Sequence, residues 1–184
     1  MRTPPKVGER GYERLAFEDY RTPAWVTDLL LAHFELRGTV WEPACGGNDM
    51  VMAIRAHGYK VRASDIRGTP PEDFLGHLTT GQKLVFGSVV TNPPFAAAQE
   101  FIERALEVTE AQRGMVAMLL AFPYDTAIKT RGHLFKHLAF DAKMPLGRRV
   151  QWVGFGDKAT ARENHAWFVW DWARAPGPAR IIYP

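Results

Sequence analysis

Three short segments carry side chains whose types and spacing suit group-transfer chemistry. The first reads Thr91-Asn92-Pro93-Pro94-Phe95. Two consecutive prolines fix the backbone of a turn, so Asn92 and Phe95 are presented rigidly. The Asn92 side-chain oxygen and the Pro93 carbonyl can each accept one hydrogen of a planar amino group. Such a nitrogen is a poor nucleophile because its lone pair is delocalised into a ring. Two hydrogen bonds to its hydrogens favour a pyramidal nitrogen with the lone pair aimed at an electrophile, and positioning then supplies the acceleration. Phe95 offers a flat face for the ring, and an amino group inside a duplex reaches this geometry only if its nucleotide is flipped out or unpaired.

The second segment is Trp41-Glu42-Pro43-Ala44-Cys45-Gly46-Gly47-Asn48-Asp49, in which two glycines let backbone approach a ligand. It is not the dinucleotide fingerprint, because a proline follows the acid and Glu42 faces the ligand in place of a pyrophosphate. A carboxylate repels phosphate and favours a cation. The third feature is Asp65, 23 residues after Glu42, placed to accept both hydroxyls of a ribose. S-adenosylmethionine carries an ammonium, a sulfonium and a ribose, and is the cofactor these residues imply.

The elements that must position these turns alternate strand and helix. Thr39–Trp41, Lys60–Ser64 and Val85–Thr91 read as strands, each ending in one of the three features. Asp49–Ala56 and Ala97–Val108 have apolar residues at helical spacing, and Met115–Ala121 is a continuous apolar run of the buried-strand type. Ala166–Trp172 is a later strand, and the four aromatics Trp167, Phe168, Trp170 and Trp172 are read mainly as core. Strands alternating with helices imply right-handed crossovers, so the expected fold is α/β, a single Rossmann-like domain with a mostly parallel sheet and helices on both faces. Ligands bind at the carboxyl ends of such strands, where all three features fall.

Composition supports a folded domain. The chain has 184 residues, 46% apolar and 23% charged, with 11 Phe, 6 Trp and 5 Tyr, which excludes a disordered polar chain. The longest apolar run, Met115–Phe122, is far shorter than the roughly 20 residues of a membrane span. The first ten residues are polar and proline-containing, so the expected location is the cytoplasm, bacterial or phage-infected. A single cysteine, Cys45, excludes disulfide-stapled and multi-thiolate zinc classes. His133 and His137 have metal-ligand spacing and His165 is a third histidine, but no carboxylate or cysteine completes a set, so no metal is expected and these histidines are read as surface or polyanion-facing groups. Residues 129–163 hold eight basic and three acidic side chains; against the total of +3, this +5 leaves −2 elsewhere. Such asymmetry suits a polyanion partner beside a separate small-molecule site. Arg131, Arg148, Arg149, Lys158 and Arg162 are the candidate nucleic-acid contacts.

Taken together, the glycine turn, Asp65 and Asn92–Phe95 resemble the small, phage-type DNA N6-adenine methyltransferases, in the motif order that places the cofactor motifs before the catalytic turn. The resemblance runs from about Phe17 to Trp172 and implies a class I methyltransferase fold. It maps the family's first motif onto Glu42–Gly47, so Glu42, Pro43, Ala44 and Gly46 are implied cofactor ligands, with Asp65 as the second acid and Ile66 against the adenine. The upstream Tyr20-Arg21-Thr22-Pro23-Ala24-Trp25 segment is implied to pack Tyr20, Thr22 and Pro23 over the cofactor's methionine part. An Asp73-Phe74-Leu75 segment is implied to grip its adenine. Asn48 stands where many members have a glycine and tolerates a left-handed backbone. Gly68, Pro70 and Pro71 imply a shortened or missing third strand.

The expected organisation is one methyltransferase domain over 1–184, with an N-terminal extension over 1–19 and a loop-rich basic segment facing substrate over 126–165. The implied partner is DNA, with RNA as the alternative nucleic acid. Two other readings share the turn: methylation of a glutamine amide in a protein, which the basic stretch disfavours, and an inactive nucleic-acid-binding module, which the intact turn disfavours.

Overall fold

The computed structural model describes residues 20–76, 85–153 and 163–184. One sheet runs through the molecule, with strands β1 (Val40–Glu42), β2 (Val61–Ala63), β3 (Ser88–Thr91), β4 (Met115–Ala121), β5 (Phe140–Pro145), β6 (His165–Asp171) and β7 (Arg180–Ile181) in the order β2-β1-β3-β4-β6-β5-β7. β2, β1, β3 and β4 are parallel neighbours; β6 is antiparallel to both β4 and β5. Helices α1 (Ala24–Leu31), α2 (Asp49–Ala56), α3 (Ala98–Glu110) and α4 (Ile128–Phe135) complete one α/β domain.

Why β4 is apolar throughout follows from its place. Side chains alternate between sheet faces, and both faces of β4 are covered. Met115, Ala117 and Leu119 join a core with α1, α2 and the β5–β6 end, while Val116, Met118 and Leu120 join a second core with α3 and α4. β6 is built the same way. Its two tryptophans on opposite faces each donate an indole N–H to a helix carbonyl, Trp167 to Val26 on α1 and Trp170 to Leu134 on α4, both at 2.9 Å. Trp167, Phe168 and Trp170 are fully buried, in keeping with a core assignment, and Trp172 is half-buried.

The parallel strands put Glu42, Thr91 and the residues after β2 at one edge. Among the described residues no strand intervenes between β2 and β3, and residues 64–76 run as turns and coil. The basic segment differs from the expected loop: α4 and β5 lie inside 126–165, and Met144, Leu146, Val150 and Trp152 are buried. Alternating apolar residues within a charged stretch form that strand, and overall charge conceals them. The 1–19 extension lies outside the described residues, as do Lys158 and Arg162. No helix among the described residues is long and apolar enough to cross a membrane.

Trp167 ties the sheet to the helix that follows residues 20–23, so Trp167→Phe removes the indole donor from the Val26 carbonyl and the link between β6 and α1 with it. A loss of about 0.5–1.5 kcal/mol is expected, read as a lower Tm in thermal unfolding; an unchanged Tm would show that the bond contributes nothing.

Candidate active site

At the carboxyl edge of β1, β2 and β3 lies a cleft of about 530 Å³, within the range of small-molecule sites. The chain places there Tyr20, Thr22, Glu42, Pro43, Ala44, Gly46, Asp65, Ile66, Asp73, Phe74, Leu75, Asn92 and Pro94. Pro23, Pro93 and Phe95 are not part of the lining. Pro23 precedes α1, where its carbonyl accepts the Val26 N–H at 3.0 Å. Pro93 is buried under the turn. Phe95 opens a short 3-10 turn, Phe95–Ala97, and its ring lies 6.1 Å from both Tyr20 and His165.

The glycine turn is held from two sides. Asn48 adopts the left-handed conformation at φ 65°, as an asparagine in a glycine's place can, and α2 begins at the next residue. Asp65 bonds the turn directly: its Oδ2 accepts the Gly46 N–H at 2.9 Å, and its Oδ1 accepts the Arg67 N–H at 2.8 Å and Arg67 Nε at 3.2 Å. Burial works against the Asp65 charge, yet the Arg67 and Gly46 N–H groups and the Arg67 guanidinium outweigh it, and the carboxyl sits below its ordinary range.

Glu42 is the opposite case. Only 1% exposed, it accepts the Thr91 hydroxyl at 2.6 Å and the Ala44 N–H at 2.9 Å on the same oxygen, Oε1. Burial pushes its carboxyl up to about 8, against those two hydrogen bonds and with the Asp65 charge adding to the rise. The sequence reading makes Glu42 a carboxylate; burial makes it a carboxylic acid at neutral pH unless a cation lies against it.

The Asn92 amide is held through its nitrogen. Its Nδ2 donates to the Tyr20 carbonyl at 3.0 Å and to Thr22 Oγ1 at 3.3 Å. Its Oδ1 is buried and has no hydrogen-bond partner. Buried amide oxygens are rarely left so, and both donors of the amide are fixed elsewhere, so the oxygen is a free acceptor beside the cleft.

Several residues here escape the sequence reading. Thr91 precedes the turn and carries no sequence signal of its own; its hydroxyl bonds Glu42. Arg21, between two candidates, pairs its guanidinium with Asp49 at 2.6 and 2.8 Å. Cys45 lines the cleft, where burial pushes its thiol up, so its position is legible only from the fold. His165 corrects the expectation of a surface histidine. It is 5% exposed, its Nδ1–H donates to the Glu163 carbonyl at 3.1 Å, burial lowers its pKa, and its ring is 5.3 Å from Trp152. His133 is exposed and pairs with Glu103, and His137 meets Trp172 edge-on. Among the described residues no three His, Cys, Asp or Glu side chains group as metal ligands.

Of the basic candidates, Arg148 and Arg149 are exposed in the connection after β5, at the same sheet edge as the cleft, with the Arg148 guanidinium 4.0 Å from the Trp25 ring centre. Arg131 lies on α4 with its guanidinium 3.9 Å from the Tyr124 ring centre. Lys143 is engaged by Asp125 at 2.8 Å.

No family model and no curated protein matches the sequence. Solved structures do match in fold. A type I restriction-modification methyltransferase subunit from Streptococcus thermophilus is 12% identical with a TM-score of 0.55, over 80% of this chain and 42% of that one. The chain therefore spans less than half of that subunit's length. A TehB-like SAM-dependent methyltransferase from Corynebacterium glutamicum is 9% identical at a TM-score of 0.51, over 79% and 85% of the two chains. A precorrin-6y C5,15-methyltransferase from Geobacter metallireducens is 11% identical at 0.52, over 80% and 87%. The fold is the Rossmann-like methyltransferase fold, with the mostly parallel sheet expected from the sequence.

The Glu42 environment has a consequence for stability. Its folded pKa lies above its unfolded one, so the unfolded chain binds fewer protons and stability falls as pH rises from the ordinary carboxyl range to about 8. Glu42→Gln keeps an oxygen for Thr91 and Ala44 and removes that loss. Thermal unfolding at pH 5, 7 and 9 should show the variant gaining on the wild type up to about pH 8 and no further above it; parallel curves would place the carboxyl's pKa in its ordinary range.

Proposed function

We propose that the protein is an S-adenosylmethionine-dependent methyltransferase acting on the exocyclic N6 amino group of adenine in DNA, with the base flipped out or unpaired. The observation that carries this reading is the Asn92 amide, whose Nδ2 is held by Tyr20 and Thr22 while its Oδ1 is buried and unpartnered. A side chain fixed in this way can only accept, and an amino hydrogen is the donor it lacks. Bound S-adenosylmethionine supplies an electrophilic methyl on a sulfonium.

The cleft residues suit that cofactor. Asp65, kept ionised by its N–H partners and Arg67, has a lone pair left on Oδ2 for one ribose hydroxyl, and the Arg67 side chain would have to release Oδ1 for the second. Gly46 and Gly47 bring backbone close to it. Glu42 suits the cationic end, since a cation beside it stabilises the carboxylate that burial disfavours. Phe74, buried against Trp41 and Phe101, and the exposed Ile66 and Leu75 offer apolar contact for the adenine ring.

In the acceptor half, Asn92 and the Pro93 carbonyl would hold the amino group while Phe95 takes the face of the base. Pro94 keeps the turn rigid between them. DNA as the acceptor is supported by the restriction-modification methyltransferase among the neighbours and by Arg148 and Arg149 on the same sheet edge. Arg131, Lys158 and Arg162 are further phosphate contacts in this reading.

Four outcomes follow. Asn92→Ala should lower methyl transfer from labelled S-adenosylmethionine roughly a hundredfold or more while cofactor affinity stays within about threefold; retained turnover removes Asn92 from the chemistry. Asp65→Ala should weaken cofactor binding in calorimetry by about 1–3 kcal/mol, and unchanged affinity would misplace the ribose. Because Glu42 must ionise against the cation, wild-type binding should release a proton and strengthen as pH rises to about 8, with Glu42→Gln insensitive; equal pH profiles would separate Glu42 from the cation. Arg148→Glu with Arg149→Glu should flatten the log–log salt dependence of DNA binding by about 2 in slope; an unchanged slope makes them an ordinary solvated face.

A further inference from the structure

Residues 20–22 belong to no helix or strand, yet they touch all three parts of the site. Toward the catalytic turn, the Tyr20 carbonyl and Thr22 Oγ1 hold Asn92, and the Tyr20 ring lies against Phe95. Toward the β5–β6 connection, the Arg21 carbonyl accepts the Val153 N–H at 3.0 Å and Tyr20 packs on Trp152 with ring centres 5.3 Å apart. Toward the glycine turn, the Arg21 guanidinium forks onto Asp49, the first residue of α2, at 2.6 and 2.8 Å. The same guanidinium lies so close over Gly47 that any side chain there would collide with it.

We propose that Arg21 is a positioning residue that couples the glycine turn to the acceptor site: its fork with Asp49 seats residues 20–22, and they in turn orient the Asn92 amide. The inference rests on reading the cleft as the S-adenosylmethionine site and Asn92 as the acceptor of the amino hydrogen. Its physical basis is connectivity. Asp65 Oδ2 holds the Gly46 N–H, so a hydroxyl drawing on Asp65 acts on the turn itself, and the turn bears directly on Arg21. Arg21 side chain and carbonyl point to different elements, so movement of the guanidinium is passed to Val153 and to Asn92 through one residue. The fork, 40% and 22% exposed at its two side chains, joins a segment outside every helix and strand to the first residue of α2. Its effect therefore belongs to placement of the segment. A planar bidentate geometry is what fixes orientation as well as distance. Filling the cleft should then seat residues 20–22 more firmly, and linkage requires that a seated segment favours the filled cleft by the same factor.

The Val153 amide reports the seating without any methyl transfer. Hydrogen exchange followed by NMR, with and without S-adenosylhomocysteine, is expected to show about tenfold added protection at Val153 in the wild type, the scale of one charge-assisted contact. Arg21→Ala and, from the other side, Asp49→Asn should lose that gain while β4 amides keep their protection. With saturating cofactor, both should lower kcat for methyl transfer about tenfold and leave the acceptor KM within about threefold. Arg21→Lys, which keeps the charge but not the fork, should recover part of the protection. If Arg21→Ala does not fold, Asp49→Asn decides. Equal cofactor-dependent protection in wild type and variants overturns the coupling even where methyl transfer proceeds. Coupled protection in a chain that methylates no nucleic acid would sustain it and refute the proposed acceptor instead, and failure to bind S-adenosylhomocysteine would overturn both.

Discussion

The site depends on one hydrogen-bonding constraint: both hydrogens of the Asn92 amide are committed before any acceptor arrives. Tyr20 and Thr22 take them, and the oxygen is left buried with nothing to accept. A buried unpaired acceptor costs the protein about 1–3 kcal/mol, and a donor from the substrate would recover it. The rest of the architecture can be seen as holding that amide in place. β3 ends at Thr91, whose hydroxyl is tied to Glu42 on β1, and the segment that receives the amide hydrogens is anchored by α1, α2 and the β5–β6 connection. Strain of this kind, stored at the end of a central strand, is what a preorganised acceptor requires.

Two acids line the same cleft with opposite charge states. Asp65 is kept ionised by N–H donors and Arg67, whereas Glu42 is held neutral by burial, with its pKa near 8. Environments that push two carboxyls apart divide their tasks. In the proposed function the charged one meets neutral hydroxyls and the neutral one meets a cation, which ionises it on contact. Selectivity for a cationic ligand then comes from a proton that a neutral ligand has no means to displace.

Most of the fold is legible in the sequence because its signals are local. Met115–Ala121 and Asp49–Ala56 match their elements to the residue, since a continuous apolar run and a helical stripe each have one good interpretation. Asn48 in the left-handed region and the tryptophans of β6 in the core also follow from residue type. The parts that are not legible depend on partners distant in sequence. His165 reads as a surface group until β6 places it beside Phe95 and Trp152. Pro23 reads as a cofactor contact, and that it starts α1 is not signalled by its neighbours. Arg21 pairs with Asp49 across 28 positions, and nothing in the residues between them signals it. The Glu42 carboxyl shows the same limit, because a sequence gives the acid and only burial gives its charge.

The account stands most directly on where the methyl goes. Duplex DNA, single-stranded DNA, RNA and a protein extract would each be incubated with the purified protein and labelled S-adenosylmethionine, digested, and analysed by nucleoside and amino-acid mass spectrometry. The account predicts label in DNA as N6-methyldeoxyadenosine, and roughly a hundredfold less of it with Asn92→Ala. Label confined to RNA, to glutamine side chains or to cytosine, or N6-methyldeoxyadenosine formed equally well by the Asn92 variant, would contradict it.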